Sequence, residues 1–188
     1  GFIAAVARLI MDENPLTGGE YDWDFDKDLS GVTSLFDTLK TSSVTELGLA
    51  KCRLGPGSLG KLAEYVRDAE AAVTSMNCLH NPLGDGLQII IKVFEETPRL
   101  RTLCGLEEGV EKIDWSDSGK GPIEVALLAA DLKAGRAGAA LNSLKCANNP
   151  GMVGELQYGR LKTPDVHAEV FKQLIDNLKT SQVTEVDF

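Results

Sequence analysis

The sequence predicts an α/β solenoid, a horseshoe with a parallel concave sheet and convex helices, and three observations support this fold class. A short pattern of apolar residues recurs along the 188-residue chain, and most copies end in Asn, Cys or Ser followed by Gly. Amphipathic segments long enough to form helices separate the copies. A longer block of sequence also occurs twice, with the two copies 139 residues apart.

The clearest copy of the short pattern is residues 44–55, with apolar side chains at its positions 1, 4, 6, 9 and 11 and a closing Gly. Alternate side chains of a strand point to one face, so Leu47 and Leu49 are predicted to be buried beneath a short strand. The other copies give the remaining predicted strands. Counting all copies, strands are expected to start near residues 6, 44, 73, 110, 141 and 183.

An Asn occupies the same place in three copies, three residues after the second core residue. Asn14, Asn81 and Asn149 hold this place, and Pro follows each of them. An amide side chain can bond the backbone groups that are left open where a strand ends, and Pro steers the chain away from the strand. We therefore expect Asn81 and Asn149 to be buried and bonded to backbone.

Apolar residues recur at helical spacing between the predicted strands. The segments 56–71, 85–96, 122–134 and 165–179 each place an apolar stripe on one face and charged residues elsewhere. This spacing predicts four amphipathic helices that cover one side of the sheet.

A strand, an Asn or Cys turn and a helix, repeated about every 29 residues, resembles the ribonuclease-inhibitor-like class of leucine-rich repeats. The resemblance covers nearly the whole chain. It implies a horseshoe fold and a surface that binds other proteins, although this fold serves many partners. A doubly wound α/β domain also alternates strands and helices and is the alternative, but the recurring Asn/Cys/Ser turns favour the repeat fold.

The two copies of the longer block are residues 35–47 and 174–186. The chain opens on apolar residues and stops within a predicted strand, where a solenoid would need polar caps. We therefore expect a single solenoid over residues 1–188 that belongs to a longer repeat protein or is covered at both ends by other subunits.

Two segments, residues 17–30 and 153–164, do not fit a minimal repeat. The first alternates aromatic and acidic residues, so it could be an extra hairpin packed on the fold or an exposed binding loop; packing is favoured because large aromatics are usually at least half buried. Its aromatic residues are candidate binding residues: Tyr21, Trp23 and Phe25.

Two weaker patterns suggest a calcium loop in the first insertion and an additional strand near residue 100. The acidic residues of the first insertion suggest a calcium loop, but the central Gly and terminal Glu of such a loop are missing; these residues are Asp22, Asp24, Asp26 and Asp28. Residues 100–106 begin where the repeat spacing would place another strand. The next copy starts only about ten residues later, which leaves no room for a full repeat, so we expect an irregular loop or short bridge there.

Charge, hydropathy and cysteine spacing exclude several classes of partner and site. The net charge of −9 argues against nucleic acid and anionic membranes. No apolar run approaches the roughly 20 residues that span a bilayer, and the apolar start lacks a basic n-region. The four cysteines lack metal-ligand spacing; buried thiols in a reducing compartment are favoured over disulfides, so we expect an intracellular, cytoplasmic protein without a cofactor or metal.

Enzymatic activity is not expected. Cys78 is predicted to point inward and His80 to project from a turn, which is the wrong geometry for a Cys–His pair. The candidate binding surface is instead the outer face of the strands and their turns, which would face the inside of the arc. Its residues are Arg8, Glu46, Lys51, Asn77, His80, Lys112, Asp114, Lys145, Asn148 and Glu185.

The leading functional hypothesis is a non-catalytic protein-binding or scaffold module within a larger assembly. The alternative is a regulatory or sensor repeat domain attached to an enzyme or nucleotide-switch domain. A third hypothesis, catalysis with a cysteine nucleophile, would require a reactive thiol.

Overall fold

A computed structural model describes residues 5–19, 21, 23–68 and 70–188 of the chain. The described residues up to Gly105 form one compact unit, and Leu106–Phe188 form a second. Both combine short parallel strands with helices, so the α/β class is confirmed. The helix predicted to be amphipathic at residues 122–134 is instead buried on all sides, with every residue from Glu124 to Leu132 enclosed. Residues 1–4 of the apolar start and Asp22 of the suggested calcium loop lie outside the described residues.

The first unit has one parallel sheet with helices between its strands. In chain order the elements are β1 (Arg8–Ile10), α1 (Ser30–Leu39), β2 (Glu46–Gly48), α2 (Pro56–Arg67), β3 (Ser75–Asn77) and α3 (Gly86–Glu96). The strands pair in the order β1–β2–β3, and Leu9, Leu47 and Met76 stand side by side at the centre of the register.

The second unit has its own parallel sheet and a separate antiparallel hairpin. In chain order the elements are β4 (Lys112–Asp114), α4 (Pro122–Ala134), β5 (Ser143–Lys145), β6 (Glu155–Gln157), β7 (Arg160–Thr163), α5 (Ala168–Leu178) and β8 (Glu185–Asp187). The parallel strands pair in the order β4–β5–β8, with Ile113, Leu144 and Val186 at the centre of the register, and the hairpin is β6–β7.

The predicted horseshoe solenoid with one continuous concave sheet is wrong. The described strands have only three or four residues each and form two separate three-stranded parallel sheets beside a two-stranded hairpin. The hydrogen bonds at β3 give the physical reason why the first sheet stops there. Backbone groups of β3 bond residues 102–105, which form an isolated antiparallel bridge, Asn77 to Cys104, rather than a parallel strand.

The core of each unit contains the side chains that the apolar pattern predicted. Leu47, Leu49 and Met76 are buried in the first unit, and Ile113 and Leu144 are buried in the second. Trp115, predicted to belong to the same row, is only half-buried. The row is therefore divided between two sheets instead of running behind one. The expected irregular bridge at residues 100–106 is confirmed by the Asn77–Cys104 pair.

The two buried asparagines bond backbone as predicted. The Asn81 carbonyl oxygen accepts from the amides of Cys52 and Leu54, at 2.9 and 3.1 Å. Asn149 accepts from the amide of Lys120 at 3.0 Å and donates to the carbonyl of Trp115 at 2.7 Å. Each amide thus joins its own turn to the preceding strand–turn segment of the same unit.

The insertion of residues 17–30 is anchored by polar contacts. The Asp26 carboxylate accepts from the amides of Gly55, Gly57 and Ser58 at the start of α2, at 2.6–3.2 Å. The buried Thr17 hydroxyl donates to the carbonyl of Arg53 and accepts from the amide of Asp26. Asp26 therefore caps a helix that begins about thirty residues later, at the end where a negative charge is favourable.

Replacing Asp26 by alanine is expected to lower the free energy of unfolding by about 1–2 kcal/mol, because three amides at the start of α2 lose their acceptor. Urea denaturation of both proteins measures the loss. Asp24→Ala is the matched control, since Asp24 is in the same insertion and its carboxylate pairs with Lys27 at 3.2 Å. Equal losses in the two variants would contradict the capping role.

Candidate protein-binding surfaces

The outer face of the first sheet brings predicted site residues of neighbouring strands together. Arg8 of β1 stands opposite Glu46 of β2, and their side chains form an exposed ion pair at 3.1 Å. Asn77 of β3 is half-buried, and its side-chain oxygen accepts from the amide of Leu79 at 3.2 Å. Beside the ion pair, Ile10 leaves half of its side chain in solvent. This face offers paired charges and one apolar side chain to a partner.

The turns after the strands place three side chains in a second row. Glu13, Lys51 and His80 each have a left-handed backbone, with φ of 65°, 55° and 58°. This conformation is uncommon for residues other than Gly, and its repetition shows that the three turns are built alike. The Lys51 ammonium group pairs with the Glu13 carboxylate at 3.1 Å. The turns therefore display charge at regular positions along the sheet.

These turns line a cleft of about 370 Å³ in the first unit. Its walls combine both signs of charge with two prolines: Glu13, Pro15, Lys51, Arg53, His80 and Pro82. The Arg53 guanidinium donates to the carbonyl of Gly19 at 2.8 Å, which ties one wall of the cleft to the insertion. The cleft is therefore polar and carries both signs of charge.

The outer face of the second sheet holds the other predicted site residues. Lys145 of β5 lies between Asp114 and Asp187 in the register, and its ammonium group is 3.9 Å from the Glu185 carboxylate. The amide of Ser116 donates to Asp114 and holds the pKa of this carboxyl below its usual value. This face therefore carries three acidic residues, Asp114, Glu185 and Asp187, around the Lys145 ammonium group.

Two further predicted residues flank this second face. Lys112 starts β4 and is exposed. Asn148 is an exposed turn residue with φ of 60°, at the place that Lys51 and His80 hold in the first unit. Its side-chain amide donates to the Asp117 carboxylate at 3.4 Å. The turn position is thus polar in both units.

The aromatic residues of the first insertion are exposed. Tyr21 and Trp23 stack on each other with ring centroids 4.8 Å apart, and Trp23 leaves 72% of its surface in solvent. Phe25 lies close to Gly55 and is about one third exposed. The expectation that these aromatics are at least half buried is met by Tyr21 and Phe25, which leave 49% and 36% of their surface in solvent, and is wrong for Trp23. The insertion is held by Thr17 and Asp26, which leaves the Trp23 ring on the surface.

The hairpin β6–β7 displays apolar residues that were not among the predicted site residues. Tyr158 and Gly159 form its two-residue turn, both with positive φ, and Tyr158 is 97% exposed. Leu156 and Leu161 face each other across the hairpin and are also exposed. The sequence signal was present, since alternating residues around a residue–Gly turn are typical of a hairpin.

The thiols are unsuited to nucleophilic chemistry. All four cysteines are buried thiols. Burial raises the pKa of Cys52 and of Cys146 to about 11, so hardly any thiolate is present near neutral pH. Among the described residues, no group of three His, Cys, Asp or Glu side chains could hold a metal ion. Asp24, Asp26 and Asp28 of the suggested calcium loop instead bond Lys27, the start of α2 and Ser30.

Cys52 and Cys146 are expected to react with a maleimide at pH 8 about 100-fold more slowly in the native protein than in the unfolded chain. The reason is that a pKa raised from 9.0 to about 11 lowers the thiolate fraction by that factor. Timed labelling and peptide mass spectrometry, in buffer and in guanidinium chloride, measure both rates. Similar rates in the two conditions would contradict the burial of these thiols.

The same pKa shifts predict a loss of stability at alkaline pH. Below pH 9 both thiols are protonated in the folded and unfolded states, so stability is unaffected. Between pH 9 and about 11 only the unfolded state ionises, which favours unfolding as the pH rises.

Comparison with models of known protein families gives no match, and comparison with curated protein sequences gives no significant match. In the described part of the chain, none of the helices has the length and apolar character needed to cross a membrane.

Proposed function

We propose that this chain is a non-catalytic protein-binding module that acts as part of a larger assembly. One observation carries the proposal: the exposed Tyr21–Trp23 stack belongs to the insertion that supports a wall of the charged cleft in the first unit. Large aromatic anchors beside charged residues are the usual composition of protein-binding hot spots.

The neighbouring charges would give such a surface its selectivity. Arg8 and Glu46 remain exposed while paired, and so do Lys51 and Glu13. Exposed pairs of this kind add little stability, but they orient an approaching partner and reject like charges. We also propose that the chain is related to leucine-rich-repeat proteins. The support is that the side chains of Asn81 and Asn149 bond the backbone of neighbouring turns.

Photo-crosslinking tests the surface directly. A photoreactive amino acid replaces Ile10, which is exposed on the first sheet, and crosslinked proteins from the native extract are identified by mass spectrometry. The identified protein is then purified, and its affinity is measured for the original chain and for Trp23→Ser and Lys51→Glu.

Each substitution is expected to weaken this binding about tenfold or more, as loss of a hot-spot anchor does. The matched control is Tyr158→Ser, which removes an exposed aromatic from the second unit. An affinity that is unchanged by Trp23→Ser and Lys51→Glu would reject the surface. Weakening by the control alone would move the binding site to the hairpin.

A further inference from the structure

The turns that follow the strands are built alike in the two units. The Asn81 side chain donates to the carbonyl of Leu49 at 2.7 Å, and the Asn149 side chain donates to the carbonyl of Trp115 at the same distance. Each asparagine also donates to the carbonyls two and three residues before it. These shared bonds identify which turn residues of the two units correspond, so their side chains can be compared position by position.

The corresponding turns have the same backbone but carry different charges. Lys51, Arg53 and His80 of the first unit have φ of 55°, 59° and 58°. The residues at the same places in the second unit have φ of 53°, 64° and 60°, and they are Asp117, Gly119 and Asn148. The amides of Lys51 and Asp117 also donate to equivalent carbonyls, at 3.1 and 3.0 Å. The first unit thus has three basic side chains where the second has an acid, a glycine and an amide.

The turn conformation does not explain the basic side chains. A left-handed backbone is unfavourable for most residues that have a Cβ atom, and Gly and Asn adopt it most readily. The second unit has these two residue types at Gly119 and Asn148. Arg53 and His80 suit the same φ values less well, and a locally unfavourable backbone at a surface recess is a common feature of binding sites.

The three basic side chains line one recess, the cleft of about 370 Å³ in the first unit. Its volume is within the range of ligand clefts, roughly 300–1,000 Å³. Arg53 and His80 are half-buried, and the carbonyl of Gly19 holds the Arg53 guanidinium at 2.8 Å. The described lining residues include one carboxylate, that of Glu13, against these three basic groups. The cleft therefore has an excess of basic side chains.

The ion pair at the mouth of the cleft can be exchanged. The side chains of Lys51 and Glu13 are 54% and 71% exposed, and pairs this open to solvent contribute little to stability. A carboxylate from outside can therefore take the place of Glu13 beside the Lys51 ammonium group. The planar guanidinium of Arg53 suits a second carboxylate, which it can bind through two parallel hydrogen bonds.

We propose that this cleft binds a short acidic segment of another protein, with carboxylates against Lys51 and Arg53 and beside His80. The inference names the partner chemistry of the surface proposed above and rests on that proposed function. The net charge of −9 repels a long polyanion at a distance, so a short acidic segment fits the cleft better than nucleic acid does.

A short end-blocked peptide of glutamate and alanine is the probe, and it is titrated into the isotope-labelled 188-residue chain. Amide resonances of residues 13, 51–53 and 80 are expected to shift in the NMR spectrum, and the titration gives the affinity. The matched peptide has glutamine in place of glutamate and is expected to shift none of them. Inorganic phosphate and a single-stranded oligonucleotide are titrated separately.

Substitutions in the turns test the charges. Lys51→Asp introduces the acid that the same turn has in the second unit, and it is expected to weaken peptide binding about tenfold or more. Glu13→Gln is expected to strengthen binding about threefold or more, because it removes the carboxylate that competes for Lys51. Lys92→Asp, at an exposed site of α3, is the matched control with the same change in net charge. Circular dichroism verifies that each variant is folded.

Four outcomes would overturn the proposal. The first is the absence of shifts at these residues at millimolar peptide, and the second is an equal response to the glutamine peptide. The third is equal weakening by Lys51→Asp and Lys92→Asp, since long-range charge alone would then explain binding. The fourth is tighter binding of phosphate or of the oligonucleotide than of the acidic peptide.

The protein captured through Ile10 separates this proposal from the proposed function. A captured partner whose affinity falls with Trp23→Ser but not with Lys51→Asp would reject the acidic segment and retain a binding surface at the aromatic stack. Binding of the acidic peptide without any captured partner would reject the proposed surface and retain the specificity of the cleft for carboxylates.

Discussion

Replacing Leu47 by alanine is expected to lower the free energy of unfolding by about 2–5 kcal/mol. Leu47 is the central residue of β2 and is fully enclosed, with Leu9 and Met76 beside it in the register. The truncation removes apolar contact and leaves a cavity that neighbouring strands and helices fill only in part. Urea denaturation followed by circular dichroism measures the loss.

Val186→Ala is the matched control for this substitution. Val186 holds the equivalent central position of β8, but almost half of its surface is in solvent. The expected loss is therefore below about 1 kcal/mol. Similar losses for Leu47→Ala and Val186→Ala would contradict the difference in burial between these two residues.

The strand centres and the buried turns could be predicted from sequence because their physical causes are local. An apolar pair separated by one residue specifies a short strand with an inner face, as Leu47 and Leu49 show. An Asn at a fixed distance from that pair can only reach backbone of its own turn and of the neighbouring segment. Because the same pattern recurs along the chain, the assignment of a strand and turn in one copy strengthened the assignment in the others.

The extent of the sheets could not be predicted in the same way. Periodic spacing predicts where strands occur, but hydrogen bonds across the edge of β3 decide whether the ladder continues. Residues 102–105 bond that edge as an irregular segment, and nothing in the spacing of Thr102 and Cys104 distinguishes this from a regular strand. The prediction of one continuous concave sheet failed at this step.

The sequence pattern also could not predict which side chains of the insertion lie on the surface. Alternation of aromatic and acidic residues indicates two different edges, but not which of them packs. The acidic edge packs here, because Asp26 meets the start of α2, and the rings of Tyr21 and Trp23 are left outside. A contact between residues 26 and 57 has no local signal in either segment. The sequence could therefore identify the insertion as a candidate binding segment, but it could not show which of its side chains are exposed.

Asn81→Ala is expected to lower the free energy of unfolding by about 3 kcal/mol, because its amide satisfies several buried backbone groups at once. The carbonyl oxygen accepts two backbone bonds, and the NH2 group donates to the carbonyls of Leu49, Cys78 and Leu79 at 2.7–3.3 Å. Alanine leaves these groups without the amide in a site that is closed to solvent. Asn81→Asp should also destabilise, since a carboxylate cannot donate to three carbonyls.

Asn14→Ala separates this effect from the intrinsic preference of asparagine for turns. Asn14 occupies the same position after β1, is exposed, and donates to carbonyls of its own turn, those of Met11 and Asp12. Water can replace those bonds, so the expected loss is about 0.5–1 kcal/mol. Urea denaturation compares the three variants under the same conditions. A loss for Asn14→Ala as large as that for Asn81→Ala would show that turn preference, rather than the link between neighbouring strands, explains the asparagine.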